Sequence, residues 1–186
     1  MLTNTHYSLE TPRLILRPWK ESDFPHFYEM NRDPLVMAHF PSLLSETESR
    51  ELFDEINRRI KLKGWGFWAC ELKSTEEVIG FVGLNEPTDP LYFNPCIEIG
   101  WRLRSRFWRQ GYAKEAANAT IQFAFKTLGL ERIVAFTATT NTPSESLMKA
   151  LNMTKMPENF LHPSLPKDHP LAEHVVYYID AQSPTS

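Results

Sequence analysis

The segment 96–128 constrains the fold of this chain more than any other stretch, because two different periodicities meet in it. Its first eight residues alternate, and the apolar side chains on one face are Ile97, Ile99, Trp101 and Leu103. An alternation of this length predicts a half-buried β-strand. Small residues then recur at a spacing of three to four, at Ala116, Ala117, Thr120 and Ala124. That spacing indicates a helix whose small-residue face packs closely against a neighbour.

A basic turn, residues 104–113, joins the predicted strand to the predicted helix. It holds three arginines, Arg104, Arg106 and Arg109, and one glycine, Gly111. The first amides of a helix have no partner within the helix, and the helix dipole favours an anion beside them. A glycine lets the backbone approach such an anion closely, because it has no Cβ. The turn therefore predicts a phosphate-binding site, and we expect the arginines to face the phosphate.

Length and composition indicate one domain, spanning residues 1–186 with an ordered core at about 11–180 and a tail at 181–186. The net charge of −3 gives no electrostatic reason to expect a nucleic-acid partner. No apolar run reaches the roughly 18 residues that cross a bilayer, and the first residues lack the charged start and apolar middle of a signal peptide. We therefore expect a cytoplasmic location, no membrane partner, and unpaired, buried thiols at Cys70 and Cys96.

Strand and helix signals follow one another along the chain. Strands are predicted at 13–17, 65–72, 78–84, 96–103, 132–139 and 174–179, with a hairpin link at 73–77. Helices are predicted from Ser22 to about Arg32, from the capping box at Ser45 to about Gly64, from 112 to Gly129, and from Thr142 onward. In the last helix Thr142 is the predicted N-cap, and Pro143 occupies the first turn.

Residues 108–113 read WRQGYA and follow the strand residues EIGW, 98–101. This arrangement resembles the acetyl-CoA pyrophosphate loop of the GNAT N-acetyltransferases, Gln/Arg-x-x-Gly-x-Gly/Ala. Gly111 and Ala113 match that loop, whereas Trp108 stands at its first position. An aromatic residue there is usual in the branch resembling the ribosomal-protein N-terminal (Rim-type) acetyltransferases. The resemblance extends from residue 11 to about residue 178.

The resemblance implies a GNAT-like α/β (α+β) fold, in which helices flank a mixed, mostly antiparallel sheet with one splayed parallel strand pair. The pantetheine arm of acetyl-CoA would pair with the backbone of Trp101 and Leu103. The residues of the loop implied to bind the cofactor are Arg109, Gln110, Gly111, Tyr112, Ala113 and Lys114. A Rossmann fold competes for the glycine loop, but the chain has no G-x-G-x-x-G and no repeated βαβ half.

A second motif, Asn141-x-x-Ser144-x-x-Leu147-Met148, resembles the family's helix beside the cofactor thiol. It implies a cofactor-side hydrogen bond from Asn141, although Asn141 could be only a turn residue. Many relatives place a tyrosine at the position of Met148 to protonate the departing thiolate. A thioether cannot do so, and Ser144 is therefore the candidate acid. The alternative, that Ser144 merely satisfies the first turn of its helix, stays open.

Glu98 is a carboxylate within an otherwise apolar strand, where burial without a partner is costly. One interpretation makes it the general base for an amine nucleophile, directly or through water, with a pKa raised by burial. The other interpretation pairs Glu98 with Arg102, the second residue along on the same face of the strand, or leaves that face in contact with water. Both interpretations follow from the residues alone, and we favour the general base.

Phe40, Trp68 and His162 are the candidate acceptor-binding residues, because relatives shape the acceptor pocket with aromatic side chains at similar places. Packing in the core would equally explain the aromatic residues. The loop 160–171 is rich in proline and histidine, and we expect it to line the acceptor cleft rather than to be a plain surface loop. The spacing of its histidines fits no standard metal site, and we expect no metal.

The resemblance implies an acetyl-CoA-dependent N-acetyltransferase in which the amine attacks the thioester directly. Acetyl-CoA and an amine acceptor are the expected partners, and the acceptor is either a protein N-terminus or a small molecule. A catalytically degenerate acyl-CoA-binding sensor is the alternative outside enzymology, because Met148 replaces the usual tyrosine. The sequence leaves open whether the protein is a monomer or a homodimer.

Overall fold

The computed structural model describes residues 6–182, and the predicted tail lies outside the described residues from position 183 onward. The strands are β1 (Leu9–Glu10), β2 (Leu14–Arg17), β3 (Phe67–Leu72), β4 (Val78–Asn85), β5 (Glu98–Leu103), β6 (Arg132–Ala138), β7 (Thr154–Lys155), β8 (Phe160–Leu161) and β9 (Glu173–Asp180). The helices are α1 (Phe24–Asn31), α2 (Glu46–Lys63), α3 (Tyr112–Lys126) and α4 (Thr142–Ala150), with 3₁₀ turns at Glu21–Asp23 and Ser105–Phe107.

The strands of the described residues form one sheet in the order β1-β2-β3-β4-β5-β6-β9-β7, and β8 pairs with β9. Every pair is antiparallel except β5 with β6, which run parallel. The GNAT-like mixed, mostly antiparallel fold with helices on both sides is therefore confirmed. No helix within residues 6–182 is long and apolar enough to cross a membrane.

The parallel strands separate soon after they meet. Among the described residues, β5 and β6 share a single registered pair, Glu98 with Val134, and the Val134 N–H donates to the carbonyl of Ile97 at 3.0 Å. Alternate residues of a strand direct their backbone groups to the same neighbour. Trp101 and Leu103 therefore direct theirs toward β6, which has already diverged. The result is a gap in the sheet that begins just beyond Glu98.

Helices cover both faces of the sheet, and the alternation of β3 decides which face each residue of that strand meets. The ring of Phe67 packs 4.9 Å from that of Phe81, which in turn stacks on Phe27 of α1. The next residue, Trp68, points to the opposite face and packs against Phe123 of α3. The predicted small-residue face of α3 is confirmed, because Ala116, Ala117, Thr120 and Ala124 are all 0% exposed.

The sequence predicted the two ends of α2 correctly and the N-cap of α4 incorrectly. Ser45 caps α2 in a capping box with Glu48, and Gly64 ends the helix in a left-handed conformation, as predicted. At α4 the N-cap is Asn141 and not Thr142, because the Asn141 side chain accepts a hydrogen bond from the backbone N–H of Ser144. Thr142 is already helical, so the capping residue lies one position earlier than predicted.

Three other predictions needed adjustment. Helix α3 ends at Lys126 and not at Gly129. The short strands β1, β7 and β8 were not predicted, because two-residue strands carry too little periodicity to be recognised. Both cysteines are free, and Cys70 is buried as expected, but Cys96 is only half-buried.

Candidate active site

A cleft of about 840 Å³ lies where β5 and β6 separate. Its walls are β5, the end of β6, the turn before α3, the start of α4, the segment 35–41 and the C-terminal loop with the start of β9. Ligand clefts in proteins usually measure about 300–1,000 Å³, so this cleft is large enough for an extended ligand. Most of the candidate residues from the sequence, including Glu98, Asn141, Ser144 and His162, line it.

The turn before α3 leaves the first amides of the helix available to a ligand. Gly111 is the N-cap, with a φ of +83°, and no side chain within residues 6–182 caps the helix. Gly111, Tyr112, Ala113 and Lys114 all line the cleft. Because uncapped amides and the helix dipole favour an anion, this end of the cleft suits a phosphate group. The residues thus fit the pyrophosphate that the resemblance implies.

Arg13, the residue directly before β2, connects this turn to the start of that strand. Its Nη1 donates to the carbonyl of Gln110 at 2.9 Å, and its Nε donates to Glu115 at 2.7 Å. Its guanidinium also lies 4.3 Å from the centre of the Tyr112 ring. The Gln110 side chain donates back to the carbonyl of Arg106 and is not part of the cleft lining. Sequence reasoning missed Arg13, because its partners lie about 100 residues away.

Trp108, the departure from the family loop, ties the turn to β5. Its indole N–H donates to the carbonyl of Leu103 at 2.8 Å. That carbonyl belongs to a residue that directs its backbone into the gap, where β6 supplies no partner. The tryptophan therefore satisfies a strand end that would otherwise depend on water or ligand.

Two of the three arginines in the turn do not face the phosphate end, contrary to expectation. Arg104 is 4% exposed, and its guanidinium forms ion pairs with Glu29 and Glu77, each at 2.7 Å. Arg106 also pairs with Glu77. Both guanidinium groups pair with carboxylates that lie far away in the sequence, and no local sequence pattern could reveal these contacts. Only Arg109, of these three, lines the cleft.

Glu98 lies at the point where the two parallel strands separate and lines the cleft. Its Oε1 accepts a hydrogen bond from Nδ2 of Asn85 at 3.1 Å. Burial of the carboxyl group raises its pKa from 4.5 to about 7, and the negative charge of Asp89 adds to the rise. The hydrogen bond from Asn85 and the charge of Arg59 act in the opposite direction and are weaker. A carboxylate with a pKa near neutrality is suited to accept a proton at working pH.

Arg102 is not the partner of Glu98. Its Nη1 donates to Oδ1 of Asn31 at 2.8 Å, and its guanidinium lies 4.3 Å from the ring centre of Phe40 and 5.3 Å from that of Phe81. Burial lowers the pKa of Arg102 to about 10. The interpretation in which Arg102 neutralises Glu98 is therefore wrong.

The hydroxyl of Ser144 faces the cleft and accepts a hydrogen bond from the indole N–H of Trp101 at 3.1 Å. The first turn of α4 is capped by the Asn141 side chain, which also donates to Thr137 at 3.0 Å. The Ser144 side chain is thus not used for capping. Its hydroxyl accepts from Trp101 and keeps its own proton available for another acceptor.

Two of the three candidate acceptor-binding residues line the cleft, and Trp68 does not. Phe40, 38% exposed, and His162 belong to its walls. Trp68 is 0% exposed and packs at 5.2 Å against Phe123 in the core. Its neighbour Phe67 lines the cleft instead. The correction follows from strand alternation, since adjacent residues of β3 point to opposite faces.

The far end of the cleft is lined by the C-terminal loop, as the sequence predicted. An aromatic and imidazole cluster stands there, in which the rings of His162 and His174 lie 4.9 Å apart and Phe160 lies 5.5 Å from His174. Phe136 from β6 belongs to the same cluster. Burial lowers the pKa of His174, which favours its neutral form. Within residues 6–182, no group of three or more potential ligands could hold a metal ion.

Comparison with known proteins identifies acetyltransferases of similar sequence and fold. The chain is 28% identical over 172 residues to the uncharacterized N-acetyltransferase YnaD of Bacillus subtilis, which covers 92% of this chain and 95% of the relative. An acetyltransferase structure from Agrobacterium tumefaciens is 27% identical, covers 97% of this chain and 98% of its own, and superposes with a TM-score of 0.78.

The ribosomal-protein-S5-alanine acetyltransferase of Vibrio fischeri shares the fold, with a TM-score of 0.72 at 19% identity over 94% of this chain and 96% of its own. A model of the acetyltransferase (GNAT) domain family matches residues 13–154, which is most of the sequence. The chain therefore belongs to the GNAT family of acetyltransferases.

Proposed function

We propose that this protein transfers the acetyl group of acetyl-CoA directly to a primary amine, with Glu98 as general base and Ser144 as general acid. One observation carries the proposal. A carboxylate with a pKa of about 7 lies at the point where the parallel strands part, in the same cleft as the uncapped N-terminus of a 15-residue helix. A base and an anion site in one cleft suit an amine and a phosphate-bearing acyl donor.

The cofactor end of the cleft is the turn 109–114 with the gap beside β5. The uncapped amides after Gly111 would bind the pyrophosphate, and Arg109 and Lys114, which line the cleft, supply positive charge. The free backbone groups of Trp101 and the N–H of Leu103 would pair with the pantetheine arm. The carbonyl of Leu103 is occupied by Trp108, so it is not offered to the cofactor. Asn141 lines the cleft beside them.

The proposed reaction needs two proton movements. The amine nitrogen attacks the carbonyl carbon of the thioester, while Glu98 accepts the proton that the nitrogen loses, directly or through water. Strand N–H groups at the gap stabilise the oxyanion. As the bond between carbon and sulfur breaks, the thiolate leaves and takes a proton from the hydroxyl of Ser144. The serine oxygen regains a proton from water in the cleft, and Glu98 returns to water the proton that it took from the amine. The hydrogen bond from Trp101 holds that hydroxyl in place and makes its proton easier to release.

A protein N-terminus is one proposed acceptor. An α-amine has a pKa near 7.8, so a substantial fraction is neutral at pH 7, whereas a lysine amine with a pKa near 10.4 is almost entirely charged. A base with a pKa of about 7 can assist the former without removing a proton from a strongly basic ammonium. Trp108 supports the branch that resembles the ribosomal-protein N-terminal acetyltransferases, and a small-molecule amine is the second possible acceptor.

An acceptor screen tests the proposal. The full-length protein is incubated with acetyl-CoA and a panel of peptides and small amines, and release of free thiol is followed. We expect turnover with at least one amine, and its loss in Glu98→Gln. Tight binding of acetyl-CoA by calorimetry, without thiol release for any amine, would instead support the acyl-CoA-binding sensor.

A further inference from the structure

Arg102 carries a largely buried positive charge that no carboxylate within residues 6–182 neutralises. Arg17 is also largely buried, and it is held between Asp23 and Glu71. Arg104, buried as well, pairs with two glutamates, as described above. Among residues 6–182, by contrast, Arg102 has no carboxylate partner, and its Nε is buried without a hydrogen bond. Its contacts are the neutral amide of Asn31 and two aromatic rings.

Such an arrangement is costly unless a ligand completes it, because a buried charge without a counter-charge loses much of its hydration. Arg102 lines the cleft and is only half-buried as a residue, so a ligand can reach it. Phe40, from the irregular segment between α1 and α2, also lines the cleft, and its ring centre lies 4.3 Å from the guanidinium. A guanidinium fork matches the two oxygens of a carboxylate, which makes a carboxylate the natural missing partner.

Arg102 and Glu98 lie on the same face of β5, four residues apart. Between them is Gly100, where a Cβ would stand 2.9 Å from Cε1 of Phe67. The ring of Phe67 therefore covers the glycine, and the face presents a carboxylate, an aromatic ring and a guanidinium in a row. Cross-strand pairing keeps them in line, because Asn85 pairs with Glu98, and Phe81 with Arg102.

We propose that the acceptor carries a carboxylate, which Arg102 binds while its apolar body lies against Phe67 and its amine reaches Glu98. This inference rests on the proposed function, since it assigns the same cleft an acceptor. The Cα atoms of Glu98 and Arg102 are about 13 Å apart for a strand rise of 3.3 Å per residue. Because side chains stand roughly perpendicular to the sheet, a similar distance separates the carboxylate from the guanidinium. Allowing about 2.8 Å for each polar contact leaves about 7 Å between amine and carboxylate. The two groups of a free α-amino acid are too close together to span this distance.

Two acceptors that differ only in charge test the inference: 4-(aminomethyl)benzoate and 4-(aminomethyl)benzamide. For the wild-type protein we expect kcat/KM to favour the carboxylate by about 10-fold to 100-fold, mostly through KM, since a charge-assisted hydrogen bond is lost with the amide. Arg102→Met should remove the preference, and Arg102→Lys should retain part of it. Arg58→Met, on the exposed face of α2 and away from the cleft, is the matched control and should keep the preference.

A second pair of acceptors identifies the source of the carboxylate. The peptides Ala-Asp-Ala-amide and Ala-Asn-Ala-amide place a carboxylate, or its neutral counterpart, at a similar distance from an N-terminal amine. Preference for the carboxylate in the peptide pair indicates a protein N-terminus followed by an acidic residue, and preference in the benzoate pair alone indicates a small molecule. Equal or reversed preference in both pairs would overturn the inference.

Calorimetry separates this inference from the proposed function. Binding of 4-(aminomethyl)benzoate and of its amide is measured with wild-type protein and does not depend on turnover. Tighter binding of the carboxylate without any thiol release would reject acetyl transfer and keep the anion site. The wild-type comparison also stands by itself if Arg102→Met fails to fold.

Discussion

Glu98→Gln is the most informative substitution, because it keeps the shape of the side chain and removes its capacity to accept a proton. Glutamine can still accept the hydrogen bond that Asn85 donates at 3.1 Å. Burial raises the pKa of Glu98 to about 7, so the charged form is about one tenth of the population at pH 6 and about nine tenths at pH 8. The contribution of the base should therefore grow across this range.

General-base catalysis is worth about 10²-fold to 10⁴-fold. Taking the lower figure, we expect Glu98→Gln to reduce kcat/KM on the order of 100-fold at pH 8 and on the order of 10-fold at pH 6. The assay follows thiol release from acetyl-CoA with one acceptor for both proteins, so that ionisation of the amine cancels in their ratio. Glu51→Gln, at an exposed position of α2, is the control, and its kcat/KM should equal that of the wild type at both pH values.

The same substitution should affect stability with the opposite sign. Because the pKa of Glu98 is raised from 4.5 to about 7 in the folded protein, the folded state binds more protons than the unfolded state in that window. The free energy of unfolding of the wild type therefore falls as pH rises through it. Glu98→Gln removes this loss, so at pH 8 it should be more stable than the wild type by about 3 kcal/mol, and at pH 4 the gain should be small.

Urea denaturation at the two pH values measures this difference. A loss of activity that is equal at pH 6 and pH 8, or greater at pH 6, would refute the assignment of Glu98 as a base with a pKa of about 7. A stability gain independent of pH would refute the burial of its charge. The first result would leave Glu98 with a purely structural role.

Three further substitutions probe the rest of the cleft. Ser144→Ala should lower kcat about 10-fold to 100-fold with little change in acetyl-CoA affinity, measured under conditions where chemistry limits the rate. The cap of α4 is retained in this variant because Asn141 supplies it, and a wild-type kcat would exclude Ser144 as the acid. Gly111→Ala should cost about 1 kcal/mol of stability, because its φ of +83° disfavours a side chain. It should also weaken acetyl-CoA binding, as measured by calorimetry, and unchanged affinity in the folded variant would contradict the pyrophosphate assignment. Trp108→Phe removes the hydrogen bond to Leu103 and should raise the KM for acetyl-CoA severalfold while leaving the fold intact, and an unaltered KM would show that this contact does not position the turn.

Sequence reasoning succeeded where one local interaction without a neighbouring competitor decides the structure. The capping box of Ser45 with Glu48 depends on residues three apart, and the uncapped start of α3 depends on Gly111 standing at the N-cap position of a helix. The alternation of β5 was visible because its period is two. The error at Thr142 is also instructive, since two adjacent residues could both have capped α4 and only the backbone conformation distinguished them.

The sequence by itself determined the order of the longer strands and helices and the residue types available to the cleft, because these follow from periodicity, caps and turns. The gap beside β5 was expected only from the family resemblance. Only the tertiary structure decided which charges meet. It paired Arg104 with Glu29 and Glu77, left Arg102 without a carboxylate among the described residues, and placed Asn85 beside Glu98. These contacts join residues far apart in the chain, and the energy of a charge depends on its burial and on its neighbours in space. Neither quantity can be read from spacing along the sequence.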